Sequence, residues 1–139
     1  MNASLRVRDY MVADPVTIAP EAEVMSVARL LVEENISGVI VTDSDNRVVG
    51  ILTERDFIAV ALDAGYFDER GGRVAEFMST GVECVGPEDN LIDVAARFVK
   101  SPYRRYPVVE DGRLVGVITR RDVLRALRSD SWFAGGRDA

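Results

Sequence analysis

The chain has 139 residues, 47% of them apolar, a formal net charge of −6 and no histidine. That length holds one compact unit or two very small ones, and the apolar share is enough for a core. An acidic chain lacks the basic stripe that general nucleic-acid binding needs and is repelled by anionic membrane surfaces, so an anionic ligand must be gripped by a local cluster of donors against the global field.

Taken in chain order, the apolar pattern predicts a short helical turn over Val7–Met11 and then an extended piece over Val16–Ala19. Pro20 precedes a helix over Glu23–Glu34, at a position where proline is tolerated, and Val24, Val27, Leu30 and Leu31 share one face of that helix. Two strands follow, Gly38–Thr42 and Val48–Thr53, around the turn Asp43–Asn46, and a helix over Glu54–Leu62 closes the set. Asp63–Arg73, rich in glycine and charge, reads as a linker.

The same order then recurs. A helical turn is predicted at Val74–Met78, an extended piece at Val82–Val85, and a helix at Asn90–Lys100 with Leu91, Val94, Ala95, Phe98 and Val99 inward. Strands Tyr106–Glu110 and Leu114–Thr119 flank Asp111-Gly112, a hairpin signal, and a helix over Arg120–Arg128 ends the copy. Sliding the chain by 67 residues lays Val7 on Val74, Met11 on Met78, Pro20 on Pro87 and Val41 on Val108. One residue drops out at the strand turn, where repeats tolerate length change, and Gly50, Thr53, Arg55 and Asp56 then meet Gly116, Thr119, Arg121 and Asp122. A copy of about 55–60 residues is marginal on its own. The expected fold is therefore α/β (α+β), with two β-α-β-β-α repeats packed through their sheets in pseudo-twofold symmetry.

The sharpest feature is Gly50-Ile51-Leu52-Thr53-Glu54-Arg55-Asp56, repeated as Gly116-Val117-Ile118-Thr119-Arg120-Arg121-Asp122. A threonine followed three residues later by an acid is a capping box, in which the hydroxyl accepts from the backbone N–H of the aspartate. The same groups also suit a ribose-phosphate. The helix start favours anions, the hydroxyl can donate to a phosphate oxygen, the carboxylate can accept from both ribose hydroxyls, and the arginine can add charge-assisted bonds. A cap alone does not require the same arginine in both copies, so the two readings coexist.

With DPVTIAPEAEV, NISGVIV and GILTERD in the first copy, and VECVGPEDNL, RRYPVV and GVITRRD in the second, the chain resembles a tandem pair of CBS (cystathionine-β-synthase) domains, the Bateman module, in a stand-alone form. The resemblance covers Val7–Leu62 and Val74–Arg128, leaving 63–73 as linker and 129–139 as a C-terminal tail. It implies a regulatory, energy-sensing module that binds an adenine nucleotide (AMP, ADP or ATP; S-adenosylmethionine or NAD less readily) and no catalytic cofactor. By resemblance Asp56 and Asp122 hold ribose hydroxyls, Thr53 and Thr119 face phosphate, and Arg55 and Arg121 lie beside them. The base is expected against Val16, Thr17, Ile18, Ser37, Gly38, Val39 and Ile40 in the first cleft. In the second it is expected against Glu83, Cys84, Val85, Arg104, Arg105, Tyr106 and Pro107.

Some residues keep two readings. Lys100 is the only lysine, so the arginine excess reflects either genomic composition or phosphate binding. Arg104, Arg105, Arg120 and Arg121 form either a solvated face or a phosphate attractor, and Tyr103 and Tyr106 either stack on a base or pack in the core. Cys84, the sole cysteine, excludes an internal disulfide and reads as a small hydrophobe or a ligand contact. Glu83 would be unfavourable beside a phosphate. Trp132-Phe133 near the end needs cover, from its own module or from a partner chain.

An enzyme is not expected: histidine is absent, no metal-ligand cluster stands out, and the cysteine has no evident base. The rival to a sensor is a ligand-free scaffold of the same fold. No apolar run is long enough to span a membrane and Met1–Tyr10 has no hydrophobic signal region, so a cytoplasmic protein is expected. The resemblance to CBS pairs implies a homodimer, and with no output domain among these residues its effect is expected in trans on an effector protein.

Overall fold

Short runs rich in valine and isoleucine become strands here, and i, i+3, i+7 apolar spacing becomes helices. The computed structural model describes residues 5–62, 72–129 and 132–133. Nearly all of the expected linker, and most of the tail, therefore lies outside the described residues. In chain order come a 3₁₀ turn (Val7–Asp9), β1 (Val12–Ala13), β2 (Thr17–Ile18), α1 (Val24–Glu33), β3 (Gly38–Thr42), β4 (Val48–Thr53) and α2 (Glu54–Ala61). A second 3₁₀ turn (Val74–Glu76) leads to α3 (Leu91–Lys100), β5 (Arg105–Glu110), β6 (Arg113–Thr119) and α4 (Arg120–Leu127). The result is a mixed α+β chain with two three-stranded sheets, ordered β2-β3-β4 and β1-β6-β5.

The chain groups into two compact units, Val16–Val82 and Met1–Pro15 with Glu83–Ala139. These are cut differently from the sequence repeats, because each repeat lends its opening segment to the other repeat's core. In the Glu83–Ala139 unit, Val7 and Arg8 donate their backbone N–H groups to Asp89 and Pro87, each at 2.9 Å. In the Val16–Val82 unit, Val74 and Ala75 make the matching bonds to Ala22 and Pro20, also at 2.9 Å. Val7 and Val74 are both fully buried. Burying a valine contributes about 1.5–3 kcal/mol, which anchors a turn too short to hold itself.

The exchanged segments also close the sheets. β1 pairs antiparallel with β6, Val12 opposite Val117 and Ala13 opposite Gly116. Ser79 makes the equivalent bridge to Ile51, with Ile51 N donating to Ser79 O at 3.0 Å and Ser79 N to Ile51 O at 2.9 Å. These pairings explain the glycine that opens each motif. A β-carbon on Gly116 would lie 2.9 Å from the Val12 carbonyl and 2.6 Å from the Met11 sulfur. One on Gly50 would strike Met78 and lie 3.0 Å from the Ser79 carbonyl.

Each unit has its own apolar core. Val24, Val27 and Leu31 of α1 pack with Val39, Val41, Leu52 and Val74. Leu91, Val94 and Phe98 of α3 pack with Val7, Tyr106, Val108 and Ile118, and Trp132 packs partly buried against that cluster. The expected inward placement of Val99 is corrected: it is 86% exposed. At about 100° per residue, Val99 has rotated well off the face centred on Leu91, Val94 and Phe98. The extended piece expected at Val82–Val85 is reduced to a parallel bridge at Val85, whose N–H donates to Pro107 O at 3.0 Å. The β5–β6 hairpin turns through Asp111 and Gly112, both at positive φ (53° and 79°), the left-handed pair that a tight hairpin favours.

Candidate functional site

The duplicated motif sits where a sheet strand, β4 or β6, runs into a helix. In the Val16–Val82 unit, β4 ends on Thr53, opposite Gly38, and α2 begins on Glu54, whose N–H donates to Ser37 O at 3.0 Å. On the far side of β3, Thr17 and Ile18 of β2 pair in parallel with Ile40 and Val41. The topology thus brings the expected base-edge residues Thr17, Ile18 and Ser37–Ile40 onto the sheet that presents Thr53. Gly38, Val39 and Ile40 are buried, whereas Val16 and Arg55 are exposed.

Thr53 and Asp56 bind each other reciprocally. Asp56 N–H donates to Thr53 Oγ1 at 3.3 Å, and Thr53 N–H donates to Asp56 Oδ2 at 2.8 Å. The threonine hydroxyl donates to the same carboxylate oxygen at 3.1 Å. The second oxygen, Oδ1, accepts from the Ser79 hydroxyl at 3.0 Å. One oxygen therefore does structural work, while the other is engaged by an exposed hydroxyl with the chemistry of a sugar hydroxyl.

The Glu83–Ala139 unit repeats the device with different neighbours. Thr119 caps α4, with Asp122 N–H to Thr119 Oγ1 at 3.3 Å, Thr119 N–H to Asp122 Oδ2 at 2.9 Å and the hydroxyl to Oδ2 at 3.0 Å. Arg120 N–H donates to Arg104 O at 3.2 Å, and Arg105 pairs with Thr119. Asp122 Oδ1 is held by Arg125, whose Nη2 lies 2.8 Å away and also donates to Tyr10 O at 2.9 Å.

Tyr106 is a core residue, 1% exposed, with its hydroxyl 2.9 Å from Ser101 Oγ and its ring centroid 4.7 Å from that of Phe98. The Arg97 guanidinium covers its ring at 4.5 Å. Tyr103 remains partly exposed with its ring edge toward Tyr106, and its carbonyl accepts from Arg120 Nε at 3.1 Å. Val85 and Pro107 are buried, and Arg104 and Arg121 are exposed. Glu83 is ion-paired with Arg97 at 3.5 Å. Burial pushes the Cys84 thiol up from its ordinary value, and the nearby Arg97 guanidinium partly offsets this.

Three participants were not singled out from the sequence: Ser79, Arg125 and Arg97. Ser79 aligns with Val12, Arg125 with Ala59 and Arg97 with Leu30, so the repeat itself conceals them. Arg125 had a local signal, because a cation three residues after an acid on a helix faces it. Among the described residues no cluster of three His, Cys, Asp or Glu side chains is placed to hold a metal, and no helix is long and apolar enough to cross a membrane.

Comparison with known proteins agrees with this architecture. The CBS domain family model matches residues 7–63 and again 74–129. An uncharacterized protein of Methanocaldococcus jannaschii, MJ1225, is 32% identical over 127 residues, covering 91% of this chain and 44% of that protein. This chain spans between about a third and two thirds of the first relatives it matches. The crystal structure of CBSX2 in complex with AMP superposes with a TM-score of 0.81 at 28% identity, covering 90% of this chain and 97% of that one. The CBS domain pair of protein MJ0100, in complex with 5′-methylthioadenosine and S-adenosyl-L-methionine, gives 0.74 at 28% identity over 88% and 95%. With two matched copies, two capped Thr–Asp turns and this fold, the chain belongs to the CBS domain family as a tandem pair.

Proposed function

We propose that this CBS pair is a regulatory module that holds an adenine nucleotide at each Thr–Asp turn and catalyses nothing itself. The observation that carries the reading is the duplicated turn, in which one aspartate oxygen is fixed by the helix cap while the other accepts from a side-chain donor, the Ser79 hydroxyl on Asp56 and the Arg125 guanidinium on Asp122. A ribose diol replaces Ser79 on Asp56 Oδ1, or Arg125 on Asp122 Oδ1. Phosphate then lies toward the helix start and its arginine, Arg55 or Arg121, where unsatisfied N–H groups favour anions. The adenine edge meets backbone groups of Val16–Ile18 and Ser37–Ile40, or of Glu83–Val85 and Arg104–Pro107. AMP-bound and S-adenosylmethionine-bound neighbours support an adenosyl ligand. AMP, ADP or ATP is preferred here, with S-adenosylmethionine or NAD as the alternatives. Occupancy acts on an effector protein in trans, by binding one packing arrangement of the module better than another.

A second reading, a ligand-free interaction scaffold, is favoured by one observation. The same repeat positions expose apolar side chains in both copies: Val32 and Val99, and Ile58 and Leu124. The two readings separate by calorimetry with AMP, ADP, ATP, S-adenosylmethionine and NAD on the wild type, Asp56→Asn and Asp122→Asn. Micromolar binding that weakens tenfold or more in either variant, about 1.4 kcal/mol, supports the sensor. Absence of binding by all five, in protein purified without prebound nucleotide, leaves the scaffold.

A further inference from the structure

The two Thr–Asp turns share their geometry and differ in charge. Residues 37 and 54 are joined through the Glu54 N–H to Ser37 O bond, and their counterparts 104 and 120 through Arg120 N–H to Arg104 O. In the first turn these places hold Ser37 and Glu54, and in the second Arg104 and Arg120. One turn further along the helix, Ala59 is replaced by Arg125, which neutralises Asp122 with an ion pair at 2.8 Å. Arg55 and Arg121 are common to both. The first turn therefore sets Glu54 and Asp56 against one guanidinium, whereas the second sets Asp122 against Arg104, Arg120, Arg121 and Arg125. Glu83, the nearby acid in the second unit, already has Arg97 as its partner.

Charges flanking a helix start within a Debye length of a bound phosphate act on it directly. Two adjacent arginines suit bidentate phosphate contacts, whereas a carboxylate in the same place repels each added negative charge.

We infer, on the reading that each turn holds an adenosine ribose, that the two sites take different classes of adenosyl ligand. The Asp122 site takes a polyphosphate, and the Asp56 site takes a ligand of little or no negative charge, such as a nucleoside or a sulfonium nucleoside.

The experiment is calorimetry with adenosine, AMP and ATP on Asp56→Asn, which reports the Asp122 site, and on Asp122→Asn, which reports the Asp56 site. ATP binds the Asp122 site at least tenfold tighter than adenosine, and the Asp56 site binds adenosine at least as tightly as ATP. Exchanging the charges, with Ser37→Arg and Glu54→Arg in one protein and Arg104→Ser and Arg120→Glu in another, reverses each order. The milder Glu54→Gln and Arg120→Gln shift each preference in the same direction severalfold, should an exchanged protein fail to show a cooperative melt. If the asparagine variants abolish binding at their own sites but ATP and adenosine rank alike at both, the division by charge is overturned while the nucleotide reading stands. If no probe binds, or neither aspartate matters, the nucleotide reading falls and takes this inference with it.

Discussion

The Arg125 guanidinium joins Asp122 Oδ1 at 2.8 Å and the Tyr10 carbonyl at 2.9 Å through a single nitrogen. It therefore links the capped turn of α4 to the segment just before β1, which comes from the other sequence repeat. Arg125 is half exposed and Asp122 buried, so the pair contributes more than a surface ion pair and less than a fully desolvated one. Arg125→Ala should lower stability by about 1 kcal/mol, read as the urea midpoint at unchanged slope. It should also raise adenosine affinity at the Asp122 site severalfold, because the ribose diol no longer displaces an ion pair. Lower stability with unchanged affinity would limit Arg125 to a structural role.

Gly50 and Gly116 give a prediction of opposite sign to the usual one. Alanine for glycine in a strand ordinarily gains stability by restricting the unfolded chain. Here the new methyl meets a backbone carbonyl at about 3 Å and a methionine side chain in each unit. The carbonyl belongs to a bridged segment and cannot swing away as a side-chain tip would. Gly50→Ala and Gly116→Ala should each cost about 1–3 kcal/mol in denaturant melts, the range for overpacking. A stabilising result at either position would show that the exchanged segment moves freely.

The repeat, the order of its elements and the Thr–Asp cap were legible because they are local. Period and punctuation specify each helix and strand, and Thr53 with Asp56 needs only three residues to declare a capping box. The exchange of opening segments was not legible. Val7 and Val74 are chemically identical, and periodicity carries no information about which core receives them. The partners of the aspartates were hidden for a related reason. Matching the two copies draws attention to what they share, whereas Ser79 and Arg125 are positions where they differ. Tyr106 kept two readings because an aromatic flanked by arginines fits a stacking platform or a core equally well, and only its burial against Phe98 under Arg97 decides for the core.

Cys84 gives a pH prediction. Burial disfavours its thiolate, so it ionises above the ordinary value of 9.0, with Arg97 pulling partly the other way. A raised acid contributes its full share of stability below pH 9.0 and loses it as pH climbs from there through the folded-state value. The wild type should therefore lose stability faster than Cys84→Ala as pH climbs above 9.0, and the two should run parallel well below it. Iodoacetamide should label Cys84 more slowly in the folded protein than in urea at the same pH, and Arg97→Gln should raise the thiolate midpoint further. Labelling as fast as in the unfolded chain would remove the burial argument.

The apolar residues left exposed on both copies predict self-association. Ile58 and Leu124 occupy the same repeat position on α2 and α4 and are 62% and 59% exposed. Single exposed hydrophobes are ordinary, but retention of one at the same place in two diverged copies is better explained by a shared use. An internally repeated chain that presents matching positions suits an isologous partner, since a twofold contact uses the same patch on both protomers. Sedimentation velocity at tens of micromolar should show a dimer for the wild type and a monomer for the double variant Ile58→Arg/Leu124→Arg, with both melting cooperatively. Val32→Arg/Val99→Arg separates the two candidate faces, because α1 and α3 expose those valines on different helices from Ile58 and Leu124. Loss of the dimer in the valine variant alone would move the interface to α1 and α3. A wild type that sediments as a monomer throughout would rule out self-association and leave the repeated apolar positions for a different protein partner.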